Sequence, residues 1–179
     1  MISVIIPTLN SAERLSHALR ALAPAAMGAF VSEVVVVDAG STDQTRALAD
    51  DAGCEIVESA PGRALQMMAG AKAARRQWLL FIHAETQLAP SWEEESRRFI
   101  SANASADRAA AFRYADAPLS AWLRGLVKLP HGAQGLLISR RFYDALGGYR
   151  DVAMEDLDLA WRIGARRLSM LRSEAIIRP

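Results

Sequence analysis

Four times in succession the chain passes from a short apolar run into a stretch with helical spacing, and this alternation restricts the fold more than any other feature. Val4-Ile5-Ile6 reads as a buried strand ended by Pro7. Asn10 and Glu13 then form an Asn-x-x-Glu capping arrangement, and Leu15, Ala18, Leu19 and Leu22 follow at helical spacing. Val34 to Val37 predicts a second strand closed by Asp38-Ala39-Gly40-Ser41, with a helix from about Asp43 to Ala52 and a short third strand from Cys54 to Val57. Pro61-Gly62 opens a helix through Arg75. Trp78 to Ile82 predicts a fourth strand, continuous in its hydrophobicity as one covered on both faces should be. Further on, Pro90 suits the first turn of a helix carrying Glu93, Glu94 and Glu95 near its positive end, with Arg97 and Arg98 beyond them. Ala110 to Tyr114 and Leu136 to Ile138 read as strands, Leu119 to Leu129 and Met154 to Gly164 as helices, and Ile176-Ile177 is strand-like. The expected fold class is α/β, a mostly parallel central sheet with helices on both faces, whose ligands bind at the carboxyl ends of the strands.

Length and composition narrow the class. With 179 residues, 51% apolar and 23% charged, the chain predicts one globular domain over 1–179. A net charge of +1, with arginines in scattered pairs such as Arg75-Arg76 and Arg166-Arg167, argues against a nucleic-acid partner. The single cysteine, Cys54, rules out an intrachain disulfide and a cysteine-based zinc site. Met1-Ile2-Ser3-Val4 enters a strand without a basic leader, and no apolar stretch approaches the roughly 20 residues of a spanning helix, so the expected location is cytoplasmic. Leu119, Trp122, Leu123, Leu126 and Val127, with Arg124 and Lys128, form a stripe that suits either the core or peripheral contact with the inner face of a membrane.

The residues just after the apolar runs are polar at three strand ends: Thr8 and Asn10, Asp38 and Ser41, His83 and Glu85. Each has a plain structural reading, Asn10 and Asp43 as helix caps, Asp38 to Ser41 as a turn, His83 as a histidine satisfied at a strand end. A functional reading begins from what is missing. Neither a G-x-G-x-x-G nor a Walker A sequence follows the first strand, which instead turns at Pro7-Thr8-Leu9-Asn10. A nucleotide bound there needs its diphosphate neutralised by a divalent cation and a basic side chain. Glu85 is a candidate oxygen ligand, His83, two positions earlier on an extended chain, points the same way, and Arg63 is the candidate phosphate partner.

Ser3-Val4-Ile5-Ile6-Pro7-Thr8-Leu9-Asn10 and Val35-Val36-Val37-Asp38-Ala39-Gly40-Ser41-Thr42-Asp43 resemble the two opening motifs of family 2 glycosyltransferases. Gly62-Arg63-Ala64-Leu65-Gln66, Leu80-Phe81-Ile82-His83-Ala84-Glu85-Thr86, Gln134-Gly135, Leu146-Gly147-Gly148-Tyr149 and Met154-Glu155-Asp156 follow in the order seen in a bacterial subgroup associated with radical-SAM and selenium-domain genes. The resemblance implies a GT-A (nucleotide-diphospho-sugar transferase) fold and an inverting, metal-dependent transfer of a sugar from a nucleoside diphosphate sugar to an acceptor hydroxyl. His83-Ala84-Glu85 matches the D-x-D motif, making Glu85 and His83 the candidate ligands of Mn2+ or Mg2+. Pro7, Thr8, Leu9, Asn10 and Asp38 match the nucleotide-base region, and Arg63 and Gln134 complete the nucleotide-sugar set. Glu155-Asp156 matches the catalytic Glu-Asp pair, with Asp156 the base, although acidic residues at a helix start also suit the helix dipole. Two departures stand out: Glu85 replaces the more usual aspartate, and Gly132-Ala133-Gln134 replaces Gly-Asp-Gln. The resemblance also implies further residues beyond Arg178-Pro179. Two rival readings are a sugar-nucleotide nucleotidyltransferase, which usually carries a glycine-rich basic loop after its first strand, and a catalytically impaired nucleotide-binding module.

Overall fold

In the computed structural model, which describes residues 1–115 and 134–177, the chain runs β1 (Ile2–Thr8), α1 (Ala12–Met27), β2 (Val31–Asp38), α2 (Thr45–Asp51), β3 (Glu55–Glu58), α3 (Arg63–Ala73) and β4 (Trp78–Phe81). It continues through β5 (Thr86–Leu88), α4 (Trp92–Ala102), β6 (Ala109–Tyr114), β7 (Leu136–Ser139), α5 (Arg140–Ala145), α6 (Glu155–Ile163) and β8 (Leu168–Ile177). The helix expected over Leu119 to Leu129, and Ala133, lie outside the described residues.

The strands form one sheet in the order β3-β2-β1-β4-β7-β6-β8-β5. Its first half, β3-β2-β1-β4, is wholly parallel; beyond β4 the pairing is mixed, with only β6 and β8 parallel. Side chains alternate between the two faces, as the two-residue period of a strand requires. Val4, Ile6, Val36 and Leu80 meet Leu15, Leu22, Ala49, Trp92 and Phe99 from α1, α2 and α4. On the other face Ile5, Val35, Val37, Leu79 and Phe81 meet Met67, Phe142, Tyr143, Leu159 and Ile163 from α3, α5 and α6.

Several expected boundaries move. Pro7 sits inside β1 rather than ending it. Strand β4 pairs with β1 only as far as Ile5 against Phe81, followed by the Ile82 N–H donating to the Ile5 carbonyl at 3.1 Å, so Pro7 lies past the ladder on that side and no N–H is missed. The Asn10–Glu13 capping arrangement does not form. Asn10 takes φ 48° and accepts the Thr42 N–H on its side-chain oxygen at 2.8 Å, leaving Ser11 as N-cap with no side-chain cap bond. Asp43 Oδ2 accepts the Ala12 N–H instead, at 3.2 Å, so α1 is capped from the next loop, while α2 starts only at Thr45. Pro90 precedes α4, whose N-cap is Ser91. Helix α3 ends at Ala73, short of Arg75, because the Arg140 guanidinium collects the carbonyls of Ala71, Ala74 and Arg76 at 2.9, 2.6 and 3.2 Å. Strand β5, helix α5 and most of β8 were not expected. Three and six residues are too short to show a period, and in β8 the inward position 173 is a serine, bonded to Ser91 at 3.0 Å, which hides the alternation.

Helix α3 lies unusually close to the sheet. A Cβ on Gly70 would stand 2.4 Å from Ile5 Cγ2 and 2.8 Å from Val37 Cγ2, so only glycine fits without displacement. Gly70→Ala gains about 1 kcal/mol of helix propensity but overpacks the contact at a cost of about 1–3 kcal/mol. A melting temperature lowered by a few degrees is the expected result, and an unchanged one would show that α3 moves outward freely.

Candidate active site

The parallel half of the sheet presents the ends of β1, β2 and β4 side by side, and two polar clusters stand there. The first is organised by Asp38, a buried carboxylate whose four acceptor positions are all used. Oδ1 accepts from the hydroxyls of Thr8, at 3.1 Å, and Ser41, at 2.5 Å, while Oδ2 accepts the N–H groups of Gly40 and Ser41 at 3.1 and 2.9 Å. Burial raises the proton affinity of this carboxyl, yet the Ser41, Gly40 and Thr8 donors outweigh it and hold Asp38 below the usual aspartate range. The same loop ties back to β1: the Asn10 N–H donates to Ser41 Oγ at 2.8 Å. Pro7 is half-buried here, and Leu9 and Asn10 are exposed. Gln66, one turn into α3, donates Nε2 to the carbonyls of both Thr8 and Val37, at 2.9 and 2.8 Å.

The second cluster begins one turn earlier on α3, at Arg63. Residues 83–86 form a tight turn, closed by the Thr86 N–H on the His83 carbonyl at 3.0 Å, and not the extended chain expected from sequence. The two side chains meet all the same, with His83 Nδ1 3.3 Å from Glu85 Oε1. His83 is buried, its Nε2 makes no hydrogen bond among the described residues, and that nitrogen lies 3.9 Å from Asp156 Oδ2. Glu85 is 30% exposed. Its carboxyl is held down to about 2, chiefly by the His83 hydrogen bond, with burial opposing and the Arg63 charge adding.

Glu155 and Asp156 enter from α6. Met154, the N-cap, takes the left-handed conformation at φ 62° and ψ 49°, which turns the chain so that both carboxylates face Arg63. Arg63 Nη1 stands 3.5 Å from Glu155 Oε1 and 4.0 Å from Asp156 Oδ2; the guanidinium is 52% exposed, so these pairs contribute little to stability. Asp156 Oδ1 accepts the Tyr149 hydroxyl at 3.0 Å. Gln134 precedes β7 by two residues, and Leu136 of β7 pairs with Phe81, which puts Gln134 at the same sheet end as His83.

The expected residues therefore gather as two groups, Pro7, Thr8, Leu9, Asn10 and Asp38 in one, Arg63, His83, Glu85, Glu155 and Asp156 in the other, joined by α3. Gln66, Ser41 and Tyr149 were quoted within motifs but given no role. Gln66 left one signal, as the one polar residue between Arg63 and Lys72 in α3. Among the described residues no group of three or more His, Cys, Asp or Glu side chains stands ready to hold a metal, and no helix is long and apolar enough to cross a membrane. The stripe from Leu119 to Val127 lies outside them.

The chain belongs to glycosyl transferase family 2, which it matches over residues 3–157. Among curated proteins, glucosyl-3-phosphoglycerate synthase of Mycolicibacterium smegmatis is 38% identical over 56 residues, covering 31% of this chain and 18% of that one. The Mycobacterium tuberculosis glucosyl-3-phosphoglycerate synthase with Mn2+ and UDP-glucose superposes with TM-score 0.77 at 20% identity, over 100% of this chain and 71% of that one. S. aureus TarS gives 0.75 at 20% identity, over 98% and 60%. At such identities the two structures establish the GT-A fold.

Proposed function

We propose that residues 1–179 form one glycosyltransferase domain that moves a sugar from a nucleoside diphosphate sugar to an acceptor hydroxyl with inversion. The order of the motifs supports the bacterial subgroup associated with radical-SAM and selenium-domain genes. The observation that carries the proposal is the meeting of Arg63, His83, Glu85 and Asp156 at the carboxyl ends of parallel strands, where such folds receive ligands.

The donor set suits a hard divalent cation in one respect. Glu85 is deprotonated and partly exposed, and one such carboxylate, together with oxygens of a diphosphate, is a common Mg2+ or Mn2+ arrangement. His83 suits direct ligation less well, since Nδ1 faces Glu85 and buried Nε2 faces Asp156; its part is to orient Glu85. A divalent cation held there supplies charge neutralisation for the departing diphosphate. Arg63 meets the phosphates with its exposed guanidinium. Thr8, Asp38 and the residues from Pro7 to Asn10 border the nucleoside, with Asp38 keeping their loop in shape. In the reaction the acceptor oxygen bonds to the anomeric carbon as the carbon–oxygen bond to the diphosphate breaks, and the acceptor proton passes to Asp156 Oδ2. Oδ1, occupied by Tyr149, stays out of the transfer.

UDP, the nucleotide present in the mycobacterial relative's complex with Mn2+, is the probe of choice. With Mn2+ and UDP at about 100 times its dissociation constant, mass action adds about 2.7 kcal/mol of stability, a rise of roughly 5–10 °C for a chain of this size. Excess chelator abolishes the rise, and so does Glu85→Gln. Equal shifts with Mn2+ and with chelator would remove Glu85 from the role proposed for it.

A further inference from the structure

We infer that Tyr149 is a positioning residue for the transfer, its hydroxyl clamping one oxygen of Asp156 so that the other faces the reacting centre; the inference rests on the role proposed above for Asp156. The geometry behind it runs in an unbroken chain from β4. Phe81, the last residue of that strand and fully buried, packs against Tyr143 and Tyr149 with ring centroids 5.3 and 5.1 Å away. The Tyr143 hydroxyl accepts the Tyr149 N–H at 3.0 Å and so fixes the backbone that carries the second ring. Gly148 makes this approach possible, since a Cβ there would stand 2.9 Å from three atoms of the Tyr143 side chain. From this seat the Tyr149 hydroxyl reaches Asp156 Oδ1 at 3.0 Å.

Burial, together with the negative charge of Asp156, holds the Tyr149 hydroxyl well above the usual tyrosine range, so it stays a donor throughout the pH range of an enzyme assay. A carboxylate free to rotate offers either oxygen to an acceptor. With Oδ1 bonded, the oxygen left is Oδ2, which also faces His83 Nε2 at 3.9 Å and Arg63 Nη1 at 4.0 Å. Of the three side chains at this carboxylate, only Tyr149 donates a hydrogen bond to it.

The test is Tyr149→Phe, which removes one oxygen and keeps the ring, measured beside Tyr143→Phe and Asp156→Asn for turnover, donor KM and melting temperature. Tyr149→Phe is expected to lower kcat about tenfold with donor KM unchanged. Tyr143→Phe, which removes a backbone anchor and not the Asp156 bond, is expected to lower the melting temperature and leave kcat in place. If Tyr149→Phe keeps the wild-type kcat while Asp156→Asn is inactive, the clamp is overturned and the role of Asp156 stands. If Asp156→Asn keeps its turnover, both fall together.

Discussion

Asp156→Asn is expected to lower turnover by about 10²–10⁴-fold, equivalent to roughly 3–5 kcal/mol in the barrier, with sugar-nucleotide affinity little changed. Asparagine preserves the side-chain shape and can still accept the Tyr149 hydroxyl on its oxygen, but the amide group that replaces Oδ2 cannot take a proton. Stability should hold, because Asp156 lies in the first turn of α6 beside Glu155 and Asp158, which retain the acidic character of that helix start. Turnover and nucleotide affinity measured together, with Glu155→Gln alongside, check this expectation. Substantial turnover in Asp156→Asn would place the base elsewhere, and a variant that only unfolds would mean that the carboxylate serves the helix.

Phe81→Ala is expected to cost about 3–5 kcal/mol of folding stability, the usual range for removing a fully buried phenylalanine. Phe81 is the ring on which Tyr143 and Tyr149 rest, its strand leads directly into His83, and it pairs with Leu136 in the middle of the sheet. The cavity would therefore open beneath the candidate site as well as in the core. Urea unfolding measures the loss through the transition midpoint. Phe81→Leu, which refills much of the volume, should restore most of it. A loss below about 1 kcal/mol for Phe81→Ala would mean that the two tyrosines collapse into the space, contrary to the packing described here.

Much of the architecture could be read before any coordinates because local pattern and tertiary demand agree there. Val4 to Ile6, Val34 to Val37 and Trp78 to Ile82 are apolar without interruption because helices cover both faces of the strands they form. The mixed half of the sheet was less legible. Its strands are short or carry small and polar residues inward, as Ala109 to Ala111 and Ser173 do. At the site, Glu85 and Arg63 were singled out because a carboxylate and an arginine beside strand and helix ends are chemically conspicuous, and Asp156 because Glu155-Asp156 resembles the family's catalytic pair. Tyr149 was not, since its partner stands on a different element and no spacing encodes a contact made by the packing of three rings. Asn10 misled for a related reason: its side chain serves Thr42, across the gap between two loops, while Asp43 caps α1 from the far side of the same gap.

In the function proposed above, Glu85 holds a divalent cation jointly with a nucleoside diphosphate. Paramagnetic resonance of Mn2+ measures this without turnover, because the sharp six-line signal of the free ion broadens on binding. Mn2+ with the protein alone is expected to leave much of the free signal, added UDP to remove it for the wild-type chain and for Asp156→Asn, and Glu85→Gln to leave it in place. A UDP-dependent loss of signal as large in Glu85→Gln as in the wild type, or none in either protein, would contradict that role.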